Sequence, residues 1–200
     1  MTSLVGAIVA GGGATRFGGA PKGLLRVGGV RIIDRVASAL RRVVPELMII
    51  SNAPDASEWI PGAIVHRDAR SERGSLVGLH TALRYASNDI LVVAWDMPFV
   101  STALLELIRD RAGGEALAVI PEGPRELEPF CAIYTRACLP FVEGAIESGD
   151  LRLSRLIAQL PSIDRIPMRE IEAVGDPAML LFNVNTPEDL ARAEAINASR

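Results

Sequence analysis

The residues richest in chemistry form one run: Gly11-Gly12-Gly13-Ala14-Thr15-Arg16-Phe17-Gly18-Gly19-Ala20-Pro21-Lys22. Glycines allow positive φ and let backbone N–H groups close on an anion, so such a loop suits phosphates. Arg16 and Lys22 add positive charge to that cradle. Two commoner phosphate loops do not fit. A Walker A loop places Lys directly after its last Gly and before Ser or Thr, whereas Lys22 lies between Pro21 and Gly23. A dinucleotide fingerprint anchored on Gly11 and Gly13 wants a small residue where Arg16 stands. Lys22 is also the sole lysine among 21 basic residues, the rest being Arg. Either a general arginine bias spared it, or the position needs a compact ammonium.

The acids come next. Asp96 follows the apolar run Ile90 to Trp95 and precedes Met97-Pro98. A carboxylate leaving a buried strand suits Mg²⁺, which takes oxygen ligands from one or two carboxylates plus phosphates. Capping the turn into the next helix is the alternative. Asp68 follows the short apolar stretch Ala63 to Val65, with Arg67 and Arg70 available as surface ion-pair partners. Asn183 and Asn185 precede Thr186-Pro187-Glu188-Asp189, which reads as a helix start with Thr as its cap. The asparagines are then free for a ligand, or are ordinary loop residues. His66 and His80 have no metal-ligand spacing and read as structural. Cys131 and Cys138 lack zinc spacing and read as reduced core residues.

Elements must position these groups. Leu4 to Ala10, Leu47 to Ile50, Ala63 to Val65, Ile90 to Trp95, Leu117 to Ile120 and Phe130 to Tyr134 read as strands, with a further strand near Leu180 to Val184. Ile32, Val36, Leu40 and Val44 recur every four residues as one face of a helix stopped by Pro45. Leu76 to Ala86, Thr102 to Arg111, Ala137 to Glu147 and Leu151 to Leu160 also read as helices. Alternation of this kind predicts an α/β fold with a mainly parallel sheet, in which ligands sit outside the strands' carboxyl ends. The loops after Ala10, Ile50, Val65 and Trp95 are therefore the places to look. Composition agrees with a globular chain: of 200 residues, 49% are hydrophobic and 22% charged. A net charge of −3 without a basic run argues against nucleic acid as a partner. The chain start shows no secretory signal and no apolar run spans a membrane, which points to the cytoplasm.

Ala10-Gly11-Gly12, Arg16, Gly18 and Lys22 resemble the loop of nucleotidyltransferases that activate sugar phosphates, lipid precursors and cofactors. Ala10 through Leu25, with Gly74-Ser75-Leu76-Val77-Gly78, Asp96-Met97-Pro98, Pro129-Phe130-Cys131-Ala132 and Asn183-Val184-Asn185-Thr186-Pro187, resembles the MobA family of molybdenum cofactor guanylyltransferases. These blocks stand in the family's order over nearly the whole chain. The resemblance implies one three-layer Rossmann-like nucleotidyltransferase domain over residues 1–200. It implies transfer of GMP from GTP to the terminal phosphate of molybdopterin or the molybdenum cofactor, with release of pyrophosphate. Lys22, Asp96 and Arg16 are then catalytic, and Asp96 holds Mg²⁺. Val9, Ala10, Gly11, Gly12, Lys22, Asn52, Asp68, Gly78 and Asp96 bind the nucleotide, Asp68 by accepting from guanine N1 and N2. Asn183 and Asn185 lie on the acceptor side. Transient contact with other cofactor-biosynthesis proteins fits the same role. CTP or another nucleotide with a different phosphorylated acceptor remains an alternative, as does a non-catalytic nucleotide-binding module. Gly13-Ala14-Thr15 is uncharged where relatives often carry another basic residue, which bears on one phosphate contact.

Overall fold

The computed structural model describes residues 3–11, 21–72 and 74–199. Strand β1 (Leu4–Val9) is buried along its whole length, as expected of a strand covered on both faces. Its odd and even positions feed two separate cores: Val5, Ala7 and Val9 pack on one side of the sheet, Leu4 and Ile8 on the other. A short hairpin follows, β2 (Arg26–Val27) and β3 (Val30–Arg31), turned by Gly28 and Gly29 at φ 59° and 77°. Two consecutive positive φ values are what a tight hairpin turn demands. Helix α1 (Ile32–Arg41) buries Ile32, Ile33, Val36, Ala37 and Leu40, the predicted face, and ends four residues before Pro45.

The remaining elements alternate as expected: β4 (Glu46–Ile50), β5 (Ile64–His66), α2 (Ser75–Tyr85), β6 (Asp89–Ala94), α3 (Thr102–Asp110) and β7 (Ala118–Pro121). They continue with β8 (Cys131–Tyr134), α4 (Leu139–Glu147), α5 (Leu153–Gln159), β9 (Ile163–Ile166), α6 (Met168–Ile171), α7 (Pro177–Leu180) and α8 (Pro187–Ala198). The sheet has seven strands in the order β5-β4-β1-β6-β8-β7-β9. All neighbours are parallel except those of β8, which runs against β6 and β7. Buried residues of α1 and α3 join one core, with Leu180 of α7 and Ala193 of α8; those of α2, α4 and α5 join the other. The result is a three-layer α/β fold with a mainly parallel sheet. No described helix is long and apolar enough to cross a membrane.

In the seven-stranded sheet one expected strand is absent and one unexpected strand is present. Residues 180–184 do not pair in the sheet; the edge strand is β9 instead. Asp176 accepts from Ala178 N–H at 2.9 Å and Pro177 follows at the first helical position, so these start signals make Pro177–Leu180 a helical turn. Leu180, Leu181 and Val184 are buried by packing on the core, not by strand pairing. Strand β9 reads Ile-Asp-Arg-Ile and buries only Ile166 fully. An edge strand of two charges and two apolar residues carries little periodic signal.

Candidate active site

Strand β1 sits between β4 and β6, and the chain leaves it in one direction and returns on the other side. A crevice forms where the strand order reverses in this way. Here it is a cleft of about 850 Å³ at the carboxyl ends of β1, β4 and β6. Val9, Ala10 and Gly11 line it from the end of β1, Lys22 from the turn that follows, and Asn52 and Asp68 from the loops after β4 and β5. Gly78 comes from α2, Asp96 from the end of β6, and Asn183 and Asn185 from the segment between α7 and α8. Gly12 and Arg16 lie outside the described residues.

Lys22 is seated by its neighbour. It opens a single 3₁₀ turn, Lys22–Leu24, closed by Leu25 N–H to Lys22 O at 3.0 Å. A Cβ on Gly23 would lie 2.5 Å from Cε3 of Trp95, so the turn rests against the indole and admits no side chain there. Trp95 stacks on Trp59, ring centroids 5.3 Å apart and 23° from parallel, and Trp59 Nε1 donates to Asp55 at 3.0 Å. The residue after Lys22 is therefore glycine for packing. From this seat Lys22 Nζ donates to Asn185 Oδ1 at 2.8 Å and stands 3.7 Å from Asp96 Oδ2. The Lys22 and Asp96 side chains are 11% and 12% exposed. Burial pushes the Asp96 carboxyl above the usual carboxylate range, against the pull of the nearby Lys22 charge.

Asn185 and Asn183 are held by their surroundings. Asp189 accepts from the N–H groups of Asn185 and Thr186, each at 2.9 Å, while Thr186 Oγ1 accepts from Asp189 N–H at 3.2 Å. That is the expected capping box of α8, and it pins the backbone of Asn185. Val184 N–H donates to Asp96 O at 2.9 Å, tying the same segment to the end of β6.

Glu128 was not foreseen as a site residue. It lines the cleft, and Asn183 Nδ2 donates to its Oε2 at 3.0 Å. Its carboxyl is pushed up to about 7 chiefly by burial, with the Asn183 bond opposing and the Asp96 charge adding. Glu128 reaches this edge because β8 is antiparallel: Phe130 O accepts from Ala94 N–H at 2.7 Å, so the start of β8 lies beside the end of β6. Glu128 directly precedes the Pro129 to Ala132 block, but strand direction is not written in that run.

At the other end, Asn52 and Asp68 hold each other. Asn52 Nδ2 donates to Asp68 Oδ2 at 2.6 Å and Asp68 N–H donates to Asn52 Oδ1 at 3.0 Å. Arg70 pairs with Glu147, at 3.7 Å, instead of Asp68. The next residue, Ala69, is fixed by its N–H to Thr81 Oγ1 at 3.0 Å. Gly78 permits the approach of α2 to the sheet, since a Cβ there would stand 2.8 Å from Val9 Cγ1. The first turn of α2 opens on the cleft at Gly74 and Ser75 with no side-chain cap among the described residues, and a helix N-terminus of this kind suits an anion.

The oxygen donors fit Mg²⁺. Asp96 and the amide oxygens of Asn183 and Asn185 are hard donors at one edge, where buried Asp96 faces Lys22 and Glu128 stands beside them in the cleft wall. No group of three or more His, Cys, Asp or Glu suited to a metal exists among the described residues. The histidines stand apart from the cleft: His80 is 1% exposed and 3.5 Å from Glu143, and His66 stacks on Tyr85 at 4.3 Å. Cys131 and Cys138 are free and buried, their thiols pushed up by burial, Cys138 to about 11.

Comparison with known proteins gives this arrangement its relatives. The family model of the MobA-like NTP transferase domain matches residues 6–164. A molybdenum cofactor guanylyltransferase of Desulfosudis oleivorans is 33% identical over 100% of this chain and 99% of its own length. A probable molybdenum cofactor guanylyltransferase of Pelotomaculum thermopropionicum is 32% identical over 98% of this chain and 94% of its own. The crystal structure of molybdopterin-guanine dinucleotide biosynthesis protein A from Archaeoglobus fulgidus superposes with a TM-score of 0.81 at 27% identity, covering 98% of this chain and all of that one. A matching sheet, a cleft at its reversal point and full-length likeness lead to one conclusion: the chain belongs to the family of MobA-like NTP transferases.

Proposed function

We propose that this chain, acting as one domain over residues 1–200 in the cytoplasm, transfers GMP from GTP to the terminal phosphate of molybdopterin or the molybdenum cofactor. One observation carries the chemistry: the single lysine and a buried aspartate face each other, 3.7 Å apart, in a cleft at the sheet's reversal point. The relatives' names support guanylyl transfer and this acceptor.

The acceptor's phosphate oxygen is already ionised at neutral pH, so the protein need not supply a base. That oxygen attacks the α-phosphorus of GTP, and the bond to the bridging oxygen breaks as pyrophosphate departs. The task is to bring two anions together in line and spread the charge. Lys22 leaves Asn185 to meet the phosphates, and the open first turn of α2 is available to them. Arg16 is assigned to the same phosphates from the sequence. Asp96 is assigned to Mg²⁺, which when bound supplies the positive charge that offsets the triphosphate. Asp68, with one oxygen braced by Asn52, accepts from guanine N1 and N2.

Incubation with GTP, Mg²⁺ and molybdopterin should yield the guanine dinucleotide and pyrophosphate. The two tryptophans of the chain both line the cleft, so intrinsic fluorescence should report nucleotide binding directly. GTP at a hundredfold over its dissociation constant should stabilise the protein by about 2.7 kcal/mol. Product with CTP and none with GTP sinks the guanylyl assignment. Binding without pyrophosphate release from any nucleotide sinks the enzyme.

A further inference from the structure

The proposed transfer gives Glu128 no task, yet it is a carboxylate set into the cleft wall. Its backbone is fixed on both sides: Glu128 N–H donates to Pro121 O at 2.9 Å, and Glu128 O accepts from Cys131 N–H at 3.2 Å. Its side chain accepts from Asn183 Nδ2 at 3.0 Å, beside the backbone N–H of Phe130. Asn183 Nδ2 also donates to Leu181 O at 3.1 Å. An amide nitrogen carries two hydrogens, so both donors of Asn183 are engaged. Oδ1 is the atom left over. It can only accept, and an acceptor repels phosphate oxygens but suits a hard cation. Asn183 is also one residue from the Val184 N–H that binds Asp96 O, so its backbone position relative to Asp96 is set.

We propose that Glu128 is a positioning residue: by accepting from Asn183 Nδ2 it locks the amide so that Oδ1 is offered to the cation held by Asp96. The inference rests on the reading of Asp96 as a cation ligand. Without Glu128 the amide keeps only the Leu181 contact and is free to present its NH₂ group, which repels a cation. Groups that orient metal ligands in this way are worth about 10–100-fold in metal affinity.

Mn²⁺ alone is the probe, with free Mn²⁺ followed by electron paramagnetic resonance as the full chain is titrated in. Wild type is compared with E128L, E128Q, N183A, the E128L/N183A double variant and D96N. E128L and N183A should each weaken Mn²⁺ binding by about tenfold or more, and the double variant should be no weaker than N183A alone. E128Q keeps an oxygen for Nδ2 and should restore most of the affinity. E128A takes the place of E128L if the larger apolar side chain does not fold. Wild-type affinity in E128L, losses that multiply in the double variant, or E128Q as weak as E128L would each overturn the proposal. The D96N arm separates the two ideas. If D96N leaves Mn²⁺ binding unchanged, the cation reading itself fails; if D96N weakens it and E128L does not, only the positioning role fails.

Discussion

At the Lys22 end of the cleft the facing charges are 11% and 12% exposed, whereas at the Asn52 end the Asn52–Asp68 bond lies open to solvent. Burial makes the first end electrostatically strong, because charges out of water interact over distance, and the same burial raises its carboxyls. Burial also makes it unsatisfied, with two raised carboxyls answered by one ammonium. The second end is screened and cheap to rearrange, so its polar atoms can trade partners for a ligand. The difference fits a division of labour in which the buried end handles phosphate charge and the open end reads a base.

That division can be broken from its strongest side first. Lys22→Met keeps the stem and removes the ammonium, and should lower kcat at saturating GTP by about 10²–10³-fold. Steady-state rates with an unchanged kcat would remove Lys22 from the reaction.

A second consequence concerns stability and pH in the metal-free protein. Glu128 ionises near 7 in the folded chain against an ordinary value of 4.5, so across that interval the folded state binds more protons than the unfolded one. Stability should therefore fall as pH rises from about 4.5 to about 7, by on the order of 2–3 kcal/mol. E128Q should flatten most of that fall in denaturant titrations across pH 5 to 8. An identical slope in wild type and E128Q contradicts the buried-end account.

The open end should give the smallest effect and a different one. Asp68→Ala should raise the KM for GTP about tenfold with little change in kcat, the expected loss of a hydrogen bond to a charged group. Its stability should stay within about 0.5 kcal/mol of wild type, as for an exposed position. A fall in kcat as large as that of Lys22→Met would abolish the contrast between the ends.

Much of the molecule was legible because its signals are local. The apolar run of β1, the four-residue spacing in α1 and the Thr186 helix start each appear where expected. The carboxyl-edge rule then selected loops that do line the cleft, including those bearing Asn52, Asp68 and Asp96. Failures came where a local pattern is ambiguous. Leu180 to Val184 is apolar enough for a strand, but the Asp176-Pro177 start turns the preceding residues into a helical turn. Ile163–Ile166 has too little alternation to announce itself, and pairing with β7 alone makes it a strand. Gly23 directly follows the glycine-rich loop in sequence, yet Trp95, more than seventy positions away, accounts for it.

The sequence by itself determined which residue types were available and where the chain would alternate strand with helix, since backbone propensity and apolar period act over a few residues. Only the tertiary structure decided that β8 runs backwards, and so brings Glu128 to the edge occupied by Asp96. It also decided that Asn183 and Asn185 fold back onto Glu128 and Lys22. Burial and electrostatic coupling depend on distances through space, and those arise when the layers pack.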